Sequence, residues 1–361
     1  MVDNVVRIFI DLVEIPSPTD EEEKVGQYIV KRLRGVADTV KFDKHGNVYA
    51  YLKGRGAPLF FTSHMDTVRP AGKFKARIAH GYVASDGRSV LGADDKAGIA
   101  AIIDAIERLK RSRITHRPVE VAFTKSEEIG SYGAVYFDYS LIRSREGFCL
   151  DSNAPVGEIV VASPYYNSFE LSLQGKSAHA SKPEVGKNAL LAFSSLLNHL
   201  RIGRLNKMTV ANIGIVKVGE ARNVVPGTLV AEGEVRSFNK KHVNSYRKHL
   251  ATVLRRMKRR YGIDYKLHLD KMIPGYYYKE SSREWKLVQL ARRSMHMCGV
   301  TSVIKRPWES TDTNIFMQHG VKCLVLAHGS ENAHTPNERV KISDLHKLSD
   351  IIVQIVSIKE S

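Results

Sequence analysis

Five short segments of this 361-residue chain share one arrangement. An apolar run or a glycine turn ends, and a side chain able to bind a metal follows at once. Leu59-Phe-Phe-Thr-Ser leads to His64 and Asp66, and Leu91-Gly-Ala leads to Asp94 and Asp95 ahead of a helical stretch. Val119–Thr124 leads to Glu127 and Glu128, Phe148-Cys-Leu leads to Asp151, and Cys323–Ala327 leads into a loop bearing His328 and His334. Taken singly, each has a plain structural explanation. Asp94 or Asp95 would cap the helix that follows, Glu127–Glu128 would be a solvated turn, Asp151 a strand-end turn residue, and His334 a surface loop residue. The repetition argues for a site, because ligands of an open α/β sheet bind beyond the carboxyl ends of its strands.

The donors are imidazoles and carboxylates, with no thiolate. That mixture suits Zn²⁺, Mn²⁺ or Co²⁺ and is poorer for structural zinc, which favours cysteine. More than three protein ligands fit two metals ~3.5–4 Å apart that share one carboxylate. Water between such ions loses a proton near neutral pH, and a carboxylate outside the ligand set can accept it.

The elements that must position these residues follow from periodicity. Asn4–Val13 and Glu21–Leu33 read as amphipathic helices, separated by Pro16 and Pro18, with Asp20 as the cap of the second. Val48–Leu52, 58–62, Val119–Thr124 and 147–150 read as strands, and Lys96–Leu109 as a long helix. This alternation predicts an α/β sheet with a largely parallel core. The middle of the chain reads as strand 168–174, helix 185–200, strands 208–218 and 224–237, helix 243–260 and strand 265–272. The β-α-β-β-α-β order predicts an inserted ferredoxin-like α+β domain with an antiparallel sheet. Helix 283–297, strand 321–327 and helix 342–358 close the chain. The expected division is 1–162 and 274–361 for the α/β domain, with 163–273 inserted.

Composition is that of a globular protein, at 43% hydrophobic and 26% charged residues. No apolar run approaches the ~18–20 residues needed to span a bilayer. The N-terminal stretch mixes apolar residues with Asp and Glu and has no basic start, so a cytoplasmic location is expected. Cys149, Cys298 and Cys323 are far apart and in apolar surroundings, which predicts buried free thiols. The formal charge of +17 reads as a solvated basic coat, densest at 247–260, with no nucleic-acid motif beside it.

As a set, the motifs SHMDTV, LGADDKAG, SEEIG, LDSN and ENAHT resemble those of the M20 family of metallopeptidases, over essentially the whole chain. The wording of LGADDKAG, and of GKSAHA in the insert, is most similar to the peptidase T-like (tripeptidase-like) branch. The resemblance implies a mixed, mainly parallel sheet of the zinc-exopeptidase type, flanked by helices, with an inserted lid and dimerisation domain. It implies that His64 and Asp151 bind one metal, Glu128 and His334 the other, and that Asp94 bridges them. Asp66 would orient the His64 ring, and Glu127 would be the general base and then the acid. Asp95 is left as a structural or helix-start residue. His179 in GKSAHA resembles the histidine that reaches a partner subunit's site to stabilise the oxyanion. Asn223 in ARNVVPG and Arg236 in EVRSF resemble residues that hold a substrate carboxylate. One stretch departs from the pattern: in KRPWESTDTN, Thr311 and Asp312 fit, but Trp308 and Glu309 stand where arginine and glycine are expected.

The expectation is therefore a homodimeric, two-metal hydrolase of short peptides, acting as an exopeptidase or aminopeptidase, with zinc the first choice of metal. Two other readings stand beside it. One is a deacylase or carboxypeptidase acting on N-acyl amino acids. The other is a basic binding protein that has kept the fold and lost catalysis.

Overall fold

A computed structural model of the chain describes residues 3–112 and 114–357. It falls into two compact units. The first comprises residues up to 161, 278–307 and 311 onward; the second comprises 162–277 and the short segment Trp308–Ser310.

The first unit is built on an eight-stranded sheet. Its strands are β1 (Thr39–Phe42), β2 (Val48–Leu52), β3 (Leu59–His64), β4 (Val119–Thr124), β5 (Glu146–Cys149), β6 (Glu158–Val160), β7 (Val303–Lys305) and β8 (Lys322–Leu326). The spatial order is β1-β2-β4-β3-β5-β8-β6-β7. The central neighbours β4-β3, β3-β5 and β5-β8 are parallel, as is the edge pair β6-β7, while β1-β2, β2-β4 and β8-β6 are antiparallel. Every residue of β3 and β4 is buried, which explains why both read as near-continuous apolar runs and not as alternating ones. Helices α1 (Asn4–Val13), α2 (Glu23–Leu33), α3 (Ala93–Ser112), α4 (Trp285–Met297) and α5 (Ile342–Ser357) flank the sheet. α3 packs on β3 and between α1 and α5, and its first 14 residues are all buried. Ile358, the last residue of the expected closing helix, lies outside the described residues.

The second unit is a five-stranded antiparallel sheet, ordered Gly203–Asn206, Thr209–Val218, Thr228–Ser237, Tyr165–Gln174, Asp264–Leu269. Helices Ala189–Leu197 and Lys240–Tyr261 pack on it through Ala192, Leu196, Leu250 and Leu254. Without its edge strand Gly203–Asn206, this is the ferredoxin-like β-α-β-β-α-β arrangement.

Several boundaries differ from the sequence reading. The helix expected at 185–200 spans only Ala189–Leu197, because Pro183–Val185 forms a separate 3₁₀ turn and the Asn188 side chain caps the helix by accepting Leu191 N–H at 3.1 Å. α2 begins at Glu23 and Asp20 does not cap it. Asp20 sits in the left-handed region at φ 74°, and its carboxylate accepts the Ser126 hydroxyl at 3.1 Å. The first interhelical turn is thus tied to the loop after β4. All three cysteines are free thiols; Cys149 and Cys323 are buried, but Cys298 is only half-buried.

Candidate active site

His64, the Glu127–Glu128 pair and Asp151 end or follow parallel strands of the central sheet, while Asp94 opens α3 after the Gly92 turn and His334 lies in the chain beyond β8. His64 is the last residue of β3. Asp66 lies two residues on and is fully buried. Its Oδ1 lies 3.4 Å from His64 Nδ1, and the same ring nitrogen is 3.0 Å from the Asp66 carbonyl. The Asp66 carboxylate also accepts the backbone N–H of Glu127 at 2.9 Å, that of Glu128 at 3.2 Å, and the Thr19 hydroxyl at 2.8 Å. One side chain therefore fixes the ring of His64 and the turn that carries the Glu127–Glu128 pair.

Asp94 and Asp95 open α3 with non-helical dihedrals. Asp94 is the hub. Its Oδ1 lies 3.2 Å from His64 Nε2, and its Oδ2 lies 3.0 Å from His334 Nε2 and accepts Asn153 Nδ2–H at 3.0 Å. His334 Nε2 is also 3.0 Å from Glu128 Oε1. Two groups of donor atoms result, each with its members within 4.8 Å of one another: His64, Asp94 and Asp151, and Asp94, Glu128 and His334. Asp95 points elsewhere: its carboxylate accepts the Ser63 hydroxyl at 2.5 Å and the His64 N–H at 3.3 Å, pinning the end of β3 to the start of α3.

The electrostatics are those of crowded acids around buried bases. Burial alone would depress His64, but the carboxylates of Asp66 and Asp94 override it and hold the ring well above the usual imidazole range. Asp94 is held well below the carboxylate range: burial opposes this, and His328, His334 and His64 outweigh it. Asp151, Glu127 and Asp95 are pushed the other way. Glu127 keeps some contact with solvent, yet dehydration by the surrounding protein and the charge of Asp151 hold its carboxyl well above its ordinary value. The same two causes raise Asp95. Burial raises Asp151, with Asp94 adding to it and His64 opposing.

Like charges gathered in a poorly hydrated site are unfavourable unless a counter-charge is supplied. The donor set answers the question of which counter-charge fits. It is all oxygen and imidazole nitrogen, arranged as two groups sharing one carboxylate, and this suits a pair of divalent cations.

Four other residues stand at the site: Glu338 and Lys96, which the sequence reading did not single out, and His328 and Asp312, which it named without assigning a role. Glu338, four residues beyond His334, is buried and accepts the Gly92 N–H at 2.6 Å and the Asp94 N–H at 3.1 Å. Burial pushes it up to about 7. Lys96 is also buried; its ammonium donates to the Ile15 carbonyl at 3.0 Å, and desolvation brings it down to about 7 against the pull of Glu338 and Asp66. His328 is fully buried, with Nε2 3.7 Å from Asp94 Oδ1. Asp312 accepts the Thr124 hydroxyl at 2.5 Å, and burial raises it to about 6. The signals existed in the short spacing of Glu338 from His334 and in the Lys of LGADDKAG. Neither says which backbone groups the side chain meets.

The remaining expected site residues lie in the second unit. His179 is exposed on a short strand whose partner is Val224, and Ala180 N–H donates to the Asn223 carbonyl at 2.9 Å, so His179 and Asn223 are neighbours. His179 Nδ1 is 2.7 Å from the Ser181 hydroxyl. Arg236 is already engaged. Nε and Nη2 donate to the two Glu234 oxygens at 2.9 and 3.1 Å, Nη1 donates to the Trp308 carbonyl at 2.9 Å, and the guanidinium lies 4.8 Å from the Tyr166 ring centre. A substrate carboxylate at Arg236 would share it with Glu234. Trp308, which departs from the tripeptidase pattern, has the Arg204 guanidinium over its ring at 4.9 Å and the Phe238 ring tilted against it at 4.7 Å.

Comparison with known proteins gives the family. A model of peptidase family M20/M25/M40 matches residues 60–357. The uncharacterised protein YqjE of Bacillus subtilis (strain 168) is 32% identical over 359 residues, covering 96% of each chain. Among solved structures, aminopeptidase PepT from Bacillus cereus ATCC 10987 superposes with a TM-score of 0.93 at 31% identity, covering 98% of this chain and 97% of that one. A tripeptidase from Staphylococcus aureus superposes with a TM-score of 0.94 at 28% identity, covering 99% and 98%. The chain belongs to peptidase family M20/M25/M40 and is a metallopeptidase.

Proposed function

We propose that this protein is an exopeptidase acting on short peptides from their amino end, tripeptidase-like, with a pair of divalent cations at the Asp94 hub. His64 and Asp151 would hold one ion, Glu128 and His334 the other, and Asp94 both. The observation that carries this is the division of Asp94: one oxygen faces His64 and the other faces His334. When bound, such ions polarise the scissile carbonyl and make water acidic near neutral pH. Glu127 takes the proton of the attacking water and returns it to the leaving amine as the C–N bond breaks. Its raised affinity for protons suits both halves of that transfer. Asp66 keeps the His64 ring and the Glu127 turn in register.

The likeness to an aminopeptidase and a tripeptidase supports the choice of substrate. We assign His179 to stabilising the oxyanion from a partner subunit of a homodimer, and Asn223 and Arg236 to the substrate carboxylate, on the family resemblance. Zinc is the proposed metal and the cytoplasm the proposed location. Among the described residues no helix is long and apolar enough to cross a membrane.

The test is a hydrolysis panel on chelator-treated protein with Zn²⁺, Mn²⁺ or Co²⁺ restored. Metal-dependent release of the N-terminal residue from tripeptides is expected. Preference for N-acetyl amino acids, or release from the carboxyl end, would replace this reading with a deacylase or carboxypeptidase.

A second outcome concerns protons. In the metal-free protein, hydrogen bonds to Asp94 and Glu128 raise His334 from 6.5 to about 10, against opposing burial. Its pairing is therefore fully stabilising below about 6.5 and is lost as pH rises through about 10. At neutral pH that proton must leave before His334 can ligate, so metal affinity should rise with pH. Calorimetry of zinc binding in buffers of different ionisation enthalpy should show proton release, reduced in His334→Ala. Buffer-independent heats would contradict the assignment of His334.

A further inference from the structure

The loop that carries His334 is a compact turn. The Thr335 hydroxyl donates to the Asn332 carbonyl at 2.8 Å and accepts the Asn337 N–H at 3.2 Å, and Glu338 N–H donates to the Thr335 carbonyl at 3.1 Å. The chain then enters strand Arg339–Lys341, which pairs with Tyr82–Ala84 on one side and Ser330–Glu331 on the other. His334 itself is held at φ 63°, a left-handed conformation that a histidine keeps only when its surroundings enforce it. Ahead of α3, Gly92 turns the chain at φ 73° into Asp94.

Glu338 joins these two loops. Its Oε2 accepts Gly92 N–H at 2.6 Å and its Oε1 accepts Asp94 N–H at 3.1 Å. One is the backbone donor of the residue proposed to touch both ions, and the other is that of the glycine two positions before it. A carboxylate is the one side chain of this length that offers an acceptor oxygen to each of two convergent N–H groups. A glutamine would satisfy one of them and turn its own N–H₂ toward the other, leaving a buried donor unpaired.

We infer that Glu338 is a positioning residue that locks the Asp94 and His334 loops into one ligand frame, so that affinity for both ions depends on a side chain that touches neither. This rests on the two-ion reading above. Because Glu338 acts through the backbone of Asp94, its loss weakens both ions together. Loss of Glu128, a donor in only one of the two groups, falls chiefly on one.

The experiment measures zinc affinity by chelator competition, and melting temperature with and without zinc, for wild type, Glu338→Gln and Glu338→Asp. The aspartate keeps the charge but shortens the reach by one carbon, and it serves where the glutamine variant does not fold. Both variants are expected to bind the ions about 10- to 100-fold more weakly, the usual effect of losing an outer-shell partner. The rise in melting temperature on adding zinc should shrink accordingly. A variant that melts lower both with and without zinc, yet keeps wild-type zinc affinity, overturns the inference and leaves Glu338 a loop filler. A wild-type protein that takes up no zinc, manganese or cobalt sinks the two-ion reading itself, and this inference with it.

Discussion

Glu127→Ala is expected to keep both ions and lose nearly all turnover. Glu127 belongs to neither donor group of the site. Its backbone is held by Asp66 and its side chain by the Ser131 hydroxyl at 3.4 Å, so truncation leaves the ligand frame standing. General-base catalysis by a placed side chain contributes roughly 10²- to 10⁴-fold. In the proposed mechanism the same carboxyl serves in both proton transfers, so a fall in kcat near the upper end, about 10³-fold or more, is expected, with KM little changed. Metal analysis beside steady-state kinetics checks it. A variant that keeps most of the wild-type rate would remove Glu127 from the mechanism, and one that loses its metals would make it a ligand.

Asp94→Asn should instead abolish activity by emptying the site. The substitution is nearly isosteric, so packing is preserved, but it removes the negative charge that His64 and His334 face from opposite sides. It also places an amide N–H₂ where one ring nitrogen would meet it. Both ions should be lost on dialysis against a chelator concentration that the wild type withstands. In Glu128→Gln, chiefly one should be lost. If Asp94→Asn kept both ions, Asp94 would not be shared.

Much of this site was legible in the sequence because several of the metal-capable residues come just after a run whose apolar character is dictated by burial in a parallel sheet. His64 after LFFTS and Asp151 after FCL are local signals, readable without knowing the neighbours. Glu338 was not readable in that way. The backbone groups that Glu338 meets lie 244 and 246 residues away in sequence, and nothing local to ENAHTPNE names them. Asp20 is not a cap because the helix begins only at Glu23, and its carboxylate meets a serine distant in sequence instead. Arg236 is the opposite case. Glu234 and Arg236 stand two apart on one strand, hence on one face, and their pairing was available from the sequence alone. The shortened helix at Ala189 was likewise foreshadowed by Pro183 and Asn188, residues that end or begin helices for stereochemical reasons.

The multiple attachments of Asp66 bear on how such an enzyme can diverge. Because one carboxylate meets the His64 ring and the backbone of both Glu127 and Glu128, the floor of the proposed site is not modular: no part of it can drift without dragging the rest. New substrate preferences are then open to lineages only through side chains that Asp66 does not hold. Chemistry would stay fixed while selectivity wanders.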